Sequence, residues 1–335
     1  MGLFSKIVGG KHDSDFYDNY NQLKNYAAEI MQYSNSTMAQ AYKAKEVIPI
    51  CEDFLAIAEL TDKKKALSMM KKEAKAENPH DRMPYHRVFG ATVFGRADDW
   101  ERVIQRVENI HNRFVLWDKK ITEFESKYSS LPSHEISLSD EFVYRKKLSD
   151  IPEIKYSTIT KSFNKDKLVN FIVVDTETTG LKASSGRIVQ LSAVKYVDWE
   201  ATEVWNSLID PKMDISKSAS DINGITNELV SGKPTIKQVA KSFIEFVSGY
   251  DVIGYNLPFD LKFLYAEGID LTQTKRKYYD VLALARKAYK NDLDEFKLID
   301  VAQYNGVYFN PHNSLNDCLA TGEVFEKIVN EITNV

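Results

Sequence analysis

The sequence is poor in cysteine and has no long apolar run. Its two cysteines, Cys51 and Cys318, are too few for a disulfide framework, and no Cys-x-x-Cys zinc pattern is present. No run of about 18 consecutive apolar residues occurs, so we expect no membrane span. The start, MGLFSKIVGG, lacks the apolar core of a signal peptide. These absences favour a soluble protein of the reducing cytoplasm.

A large excess of either charge is also missing. The formal net charge is −4 over 335 residues, which excludes a wholly basic nucleic-acid coat, so any such binding must be local. The length favours two domains, each large enough for its own hydrophobic core.

The first part of the chain has helical periodicity. A 3.5-residue apolar repeat favours a long helix packed along a partner helix, and it runs through Val103, Val107, Ile110, Phe114, Trp117, Ile121, Phe124 and Tyr128. We therefore predict an all-α N-terminal region with coiled-coil character over residues 1–130. The polar, serine-rich stretch 131–168 is interpreted as a linker.

From residue 169 the pattern changes to strands and then to alternating helices and strands. FIVVDT, RIVQLSAVKYVD and TEVWNSLID are typical of three successive strands. Segments typical of helices follow, separated by the short apolar strand DVIGYN. The order predicts an α/β domain over residues 169–335, with a mixed sheet flanked by helices.

Two acids follow the apolar residues of the first of these strands. In the stretch FIVVDTETTG, Asp175 and Glu177 share one strand face because side chains alternate. Two carboxylates about 4 Å apart repel by roughly 4 kcal/mol at an effective dielectric near 20. Protonation, pairing with a basic side chain or a divalent cation would relieve that repulsion, and an exposed strand end is the ordinary alternative. Oxygen ligands suit Mg²⁺ or Mn²⁺ rather than zinc.

Three more residues later in the chain are candidates for the same site. Asp260 and Asp317 each fall in the first turn of a predicted helix, and His312 lies in the loop before the second of these. Each has an ordinary structural interpretation, such as the Ser314–Asp317 capping box or a favourable acid at a helix N-terminus.

Taken together, these five residues resemble a known enzyme family. The order D-x-E-T-T-G, G-Y-N-x-x-F-D and H-N-S-x-x-D is similar to the three motifs of the DnaQ-like 3′→5′ exonucleases, DEDDh subgroup. The segments INGIT and YYDVLALARK are also similar to family sequences. The resemblance covers about residues 169–332 and implies an RNase H-like fold.

The resemblance implies a two-metal phosphodiester hydrolase that releases nucleoside 5′-monophosphates from a 3′ end. Two divalent cations, Mg²⁺ or Mn²⁺, would be held by Asp175, Glu177, Asp260 and Asp317. His312, with an ordinary pKa near 6.5, would take the proton of the attacking water.

Substrate contacts are implied in the same way. By analogy they are Thr178, Thr179, Leu181, Asn256 and Phe259; the alternative for the first three is a plain turn between strands. Two positions depart from the usual family sequence: Tyr255 and Asn223 stand where histidine is frequent. Neither replaces a metal ligand.

Several functional alternatives remain open at this stage. DNA proofreading or repair on single-stranded or frayed 3′ ends is the first expectation, and RNA trimming is the second. A non-catalytic nucleic-acid-binding adaptor is the third. The N-terminal helices are a candidate surface for a protein partner or for self-association, and the basic stretch DKKKALSMMKKEAKAE is either a phosphate contact or a solvated face.

Overall fold

A computed structural model describes residues 25–32, 98–139, 144–273 and 275–333. The chain divides into two compact units, Met1–Lys119 and Lys120–Val335. In the described part, no helix combines the length and the apolar character needed to cross a bilayer. The predicted division into residues 1–130, 131–168 and 169–335 stays a prediction.

The described residues of the first unit are helical. Residues 25–32 form α1, and the long predicted helix is confirmed as α2, Asp98–Tyr128. The two helices are in contact: Tyr26 Oη donates to Glu108 Oε1 at 3.1 Å, and the Tyr26 and His111 rings are 5.0 Å apart. The remainder of the predicted helical region lies outside the described residues, so its coiled-coil character stays a prediction.

The second unit contains a five-stranded mixed sheet in the order β3-β2-β1-β4-β5. The strands are β1 Asn170–Thr178, β2 Ile188–Val197, β3 Glu200–Leu208, β4 Asp251–Gly254 and β5 Tyr278–Asp280. Strands β1 to β3 form an antiparallel meander, whereas β4 pairs in parallel with β1 and with β5. The predicted mixed sheet is therefore confirmed.

Helices cover both faces of this sheet. They are α3 Lys217–Asn223, α4 Asn227–Val230, α5 Ile236–Phe246, α6 Leu257–Ala266, α7 Val281–Ala288, α8 Leu298–Tyr304 and α9 Ser314–Thr333. One core joins α5 and α6 to the face that carries Ile172 and Trp205. On the other face Phe171 stacks on Tyr196 and meets Phe325 of α9. The predicted helices of this domain are confirmed, but β5, α3, α4 and α8 were not predicted.

Residues 131–139 and 144–168, here called the strap, contact both edges of the sheet. At the β3 edge, His134 N donates to Val204 O at 2.7 Å. At the β5 edge, Ser157 N donates to Tyr278 O at 2.7 Å. Between these points Tyr265 Oη of α6 donates to Asp150 O at 2.7 Å. The segment interpreted as a linker thus supplies hydrogen bonds that edge strands otherwise leave unmade.

Candidate active site

Strand β1 presents two acids on one face of the sheet. The register pairs Asp175 with Ser192 and Glu177 with Gln190 on β2. Because facing residues of paired strands lie on the same side of a sheet, these four polar side chains share one face. That face is the one covered by α9, since Phe171 points the same way and meets Phe325.

A buried polar network attaches the first turn of α9 to β2. Ser314 Oγ lies 2.6 Å from Ser192 Oγ, and Ser314 N donates to Gln190 Oε1 at 3.2 Å. Further along the helix, a Cβ on Gly322 would overlap the Tyr196 hydroxyl, so only glycine permits this close approach. Together these contacts hold Asp317, in the first turn, above β1.

Asp260 reaches the same strand from α6. Its Oδ1 accepts hydrogen bonds from Thr176 N at 3.0 Å and from Thr176 Oγ1 at 2.7 Å. Asp260 is only 2% exposed. Since Thr176 stands between Asp175 and Glu177 in the chain, this pair of hydrogen bonds fixes Asp260 beside the two acids of β1.

The carboxylates converge closely enough to share a cation. Asp175, Glu177 and Asp317 each offer an oxygen, and these oxygens all lie within 4.8 Å of one another. Asp260 stands beside this group of three. Asp317 Oδ1 is buried and has no hydrogen-bond partner among the described residues, an arrangement that is costly unless a ligand completes it. A set of carboxylate oxygens with one unpaired member fits a hard divalent cation.

The electrostatics of the site follow from burial without a counterion. Burial, and then the charges of Asp260, Asp317 and Glu177, raise the pKa of Asp175 well above its usual range. Burial likewise raises the pKa of Glu177 to about 7 and that of Asp260 to about 7. In the described part of the chain, no lysine or arginine forms an ion pair with these acids. A bound cation would therefore relieve a repulsion that the protein itself leaves in place.

His312 is exposed and lies in the loop before α9, five residues before Asp317 in the chain. Its backbone is left-handed, with φ 64°, and its N–H hydrogen bonds to the Asp317 carboxylate. Neighbouring atoms partly desolvate the ring and lower the pKa of His312. A lowered pKa favours the neutral imidazole, which is the form that can accept a proton.

The predicted substrate residues have different environments. Leu181 is 87% exposed, an unusual position for a large apolar side chain. Asn256 is exposed, and Phe259 is half-buried against Phe263. Thr178 Oγ1 donates to Gly180 O at 2.9 Å. Thr179 is buried, and its hydroxyl accepts from Arg187 N at 3.0 Å. Contact of these five with a substrate stays a prediction.

Two features of the site were not predicted from the sequence. Asn223, identified there only as a departure from the family pattern, hydrogen bonds to the Glu177 carboxylate and lies 3.4 Å from Thr178 O. Gln190 and Ser192, which support Asp317 through Ser314, were overlooked. Their signal was present, because they are the two polar residues of the otherwise apolar stretch IVQLSAV.

Comparison with known proteins agrees with this geometry. The family model described as Exonuclease (RNase_T) matches residues 172–325. The DNA polymerase III subunit epsilon of Aquifex aeolicus is 32% identical over 165 residues, 48% of this chain and 81% of that protein. The PolC-type DNA polymerase III of Clostridium perfringens is 34% identical over 158 residues, 47% of this chain.

The match to the PolC-type relative covers only 11% of that protein. Among solved structures, Exonuclease X in complex with 5′ overhanging duplex DNA is 23% identical, with a TM-score of 0.39 over 48% of this chain and 91% of that one. The matched span, the epsilon relative and the acidic motifs together place the chain in the DnaQ-like 3′→5′ exonuclease family.

Proposed function

We propose that this protein hydrolyses phosphodiester bonds at DNA 3′ ends and releases nucleoside 5′-monophosphates. The observation that carries the proposal is the convergence of Asp175, Glu177 and Asp317, whose oxygens lie within 4.8 Å of one another. The chain's membership of the exonuclease family supports a hydrolytic role for that cluster. The relatives named as DNA polymerase III proteins favour DNA over RNA.

Two divalent cations, Mg²⁺ or Mn²⁺, are the proposed cofactors. Asp175, Glu177, Asp260 and Asp317 would hold them, and Asp317 Oδ1 is a buried oxygen with no hydrogen-bond partner in the described part of the chain. When bound, such cations neutralise phosphate charge and make water easier to deprotonate.

The remaining steps belong to side chains of the protein. His312, whose lowered pKa favours the neutral imidazole, accepts the proton of the attacking water. Leu181, exposed in the connection after β1, packs on the terminal base or sugar, and Thr178, Thr179, Asn256 and Phe259 contact the same nucleotide. Asn223 keeps Glu177 oriented through its hydrogen bond.

The N-terminal helices are proposed as a contact surface for a protein partner or a second copy of the chain.

The test is a nuclease assay on 5′-labelled single-stranded DNA and on RNA of the same sequence. We expect mononucleotide release that requires Mg²⁺ or Mn²⁺, stops with EDTA and is faster on DNA. Faster release from RNA would favour the RNA-trimming alternative, whereas binding without turnover would favour the adaptor. Turnover that resists EDTA would reject the proposal.

A matched pair of variants tests the site itself. Asp175→Ala removes an acid of the cluster, and Asp198→Ala removes an exposed acid in the turn between β2 and β3, at the opposite end of β1. We expect the first to abolish mononucleotide release and the second to leave it unchanged.

A further inference from the structure

The connection between β1 and β2, residues 179–187, determines where the exposed Leu181 lies. This β1–β2 loop is a tight turn in which Gly186 N donates to Lys182 O at 2.7 Å. Its ends are joined because Thr179 N donates to Arg187 O at 2.9 Å. A change in the shape of the loop would therefore move Leu181 relative to the acids of β1.

An arginine from the strap holds this loop. Arg145 Nη2 donates to Ala183 O at 2.9 Å and to Ser184 O at 3.4 Å, and Nη1 lies 3.4 Å from Gly186 O. One planar guanidinium thus contacts three carbonyls of the β1–β2 loop, a pattern that the single ammonium of lysine cannot reproduce. Arg145 lies outside residues 172–325, the span that matches the exonuclease family.

Arg145 is itself fixed by a buried acid. Its Nη1 donates to Glu267 Oε1 at 2.7 Å, and the Glu267 side chain is 5% exposed. Arg187, the last residue of the loop, lies 3.7 Å from the same oxygen. A cavity of about 500 Å³ adjoins these three residues, so the loop has room to shift on that side if the guanidinium is lost.

We propose that Arg145 is a positioning residue that holds the β1–β2 loop, and with it Thr178 and Leu181, in the substrate-binding conformation. The inference rests on the proposed exonuclease function, because it assigns those residues to substrate. Contacts made equally to substrate and transition state affect KM rather than kcat. The loss of Arg145 should consequently weaken substrate binding more than chemistry.

The test compares two neighbouring strap residues in the full chain. Arg145→Ala should raise KM for single-stranded DNA about tenfold and change kcat less than about threefold. Arg145→Lys should recover only part of that loss, because lysine lacks the guanidinium fork. The matched control is Lys146→Ala, which breaks the 3.0 Å pair between Lys146 and Asp270 without touching the loop. It should leave KM unchanged.

Each outcome supports or overturns the assignment. An unchanged KM in Arg145→Ala, or an equal rise in Lys146→Ala, would show that Arg145 only docks the strap. If Arg145→Ala does not fold, the double variant Arg145→Met with Glu267→Gln removes both charges of this ion pair and should show the same rise in KM.

The two proposals fail separately. A wild-type chain without metal-dependent turnover refutes the exonuclease function, and the positioning role with it. An active wild-type chain that Asp175→Ala inactivates, but whose KM does not respond to Arg145→Ala, refutes only the positioning role.

Discussion

Glu267 and Asp260 are buried and Asp175, Glu177 and Asp317 are half-buried in the same domain, but of these five acids only Glu267 has cationic side chains beside it. Burial raises the pKa of Glu267, and the charges of Arg145 and Arg187 oppose the rise. For Asp175 the neighbouring charges are negative and add to the effect of burial. The negative charge of a buried acid with an internal counterion is balanced by the protein itself. The acids without a counterion instead form a cluster that could hold a divalent cation from solution.

Among the variants that test this contrast between acids with and without counterions, we expect Asp175→Asn to have the largest effect. Removing one ligand charge should lower turnover by about three orders of magnitude. It should also abolish the rise in thermal unfolding midpoint that Mg²⁺ produces in the wild-type protein. Differential scanning fluorimetry with and without Mg²⁺, beside the nuclease assay, measures both. A normal Mg²⁺ response in this variant would place the cation elsewhere.

His312→Ala should separate proton transfer from metal binding. We expect kcat to fall by about a hundredfold, since a general base contributes that much or more. The Mg²⁺ response of the unfolding midpoint should persist, because the three converging carboxylates are intact. A variant that keeps full kcat would remove His312 from the chemistry.

The metal-free protein should lose stability as the pH rises. The folded-state pKa of Glu177 is raised to about 7 by burial, so the native state holds a proton that the unfolded chain releases near pH 4.5. The free energy of unfolding therefore falls as the pH rises from 4.5 to about 7, by a few kcal/mol at most. Unfolding midpoints in EDTA at pH 5.5 and pH 8 measure the difference.

Replacing Glu177 and Glu267 each with glutamine compares an acid without a counterion with one that has counterions. Glu177→Gln should reduce the pH difference and the stabilisation by Mg²⁺. Glu267→Gln should remove less of the pH difference and keep the full Mg²⁺ response, because Arg145 and Arg187 already counter its charge. Equal behaviour of the two variants would mean that internal counterions do not distinguish these acids.

The smallest effect concerns the support of α9. Ser192→Ala removes the 2.6 Å contact with Ser314, and loss of such a supporting hydrogen bond should lower activity about tenfold. Ser242→Ala is the control, since it removes a buried hydrogen bond from Trp205 Nε1 on the opposite face of the sheet. If both variants lose activity equally, the effect is one of general stability.

Much of the fold was predictable because its signals are local. The apolar runs of β1 and β2 and the amphipathic patterns of α5 and α9 depend on residues close together in sequence, and all are confirmed. β5 was missed because its three residues are too short to show a period, and only pairing with β4 makes them a strand. Likewise, α8 is only seven residues long.

Some residues of the candidate site could likewise be identified from the sequence, and others could not. Its acids and His312 could be identified because the three motifs preserve their order and spacing. The contribution of Asn223 could not, since nothing near it in sequence shows that its amide meets Glu177. The contacts of the strap with the sheet edges could not be predicted either, because they are backbone hydrogen bonds to Val204 and Tyr278 and leave no apolar pattern in the sequence.

By itself, the sequence determined strands β1 to β4, helices α5, α6, α7 and α9, and the identity of the acidic residues, because periodicity and motif order are local properties. Only the tertiary structure decided which acids have counterions, which polar residues support α9, and that Arg145 donates hydrogen bonds to the β1–β2 loop. The physical reason is that these depend on distances between groups far apart in the chain, such as Arg145 and Glu267, which are separated by 122 positions in sequence.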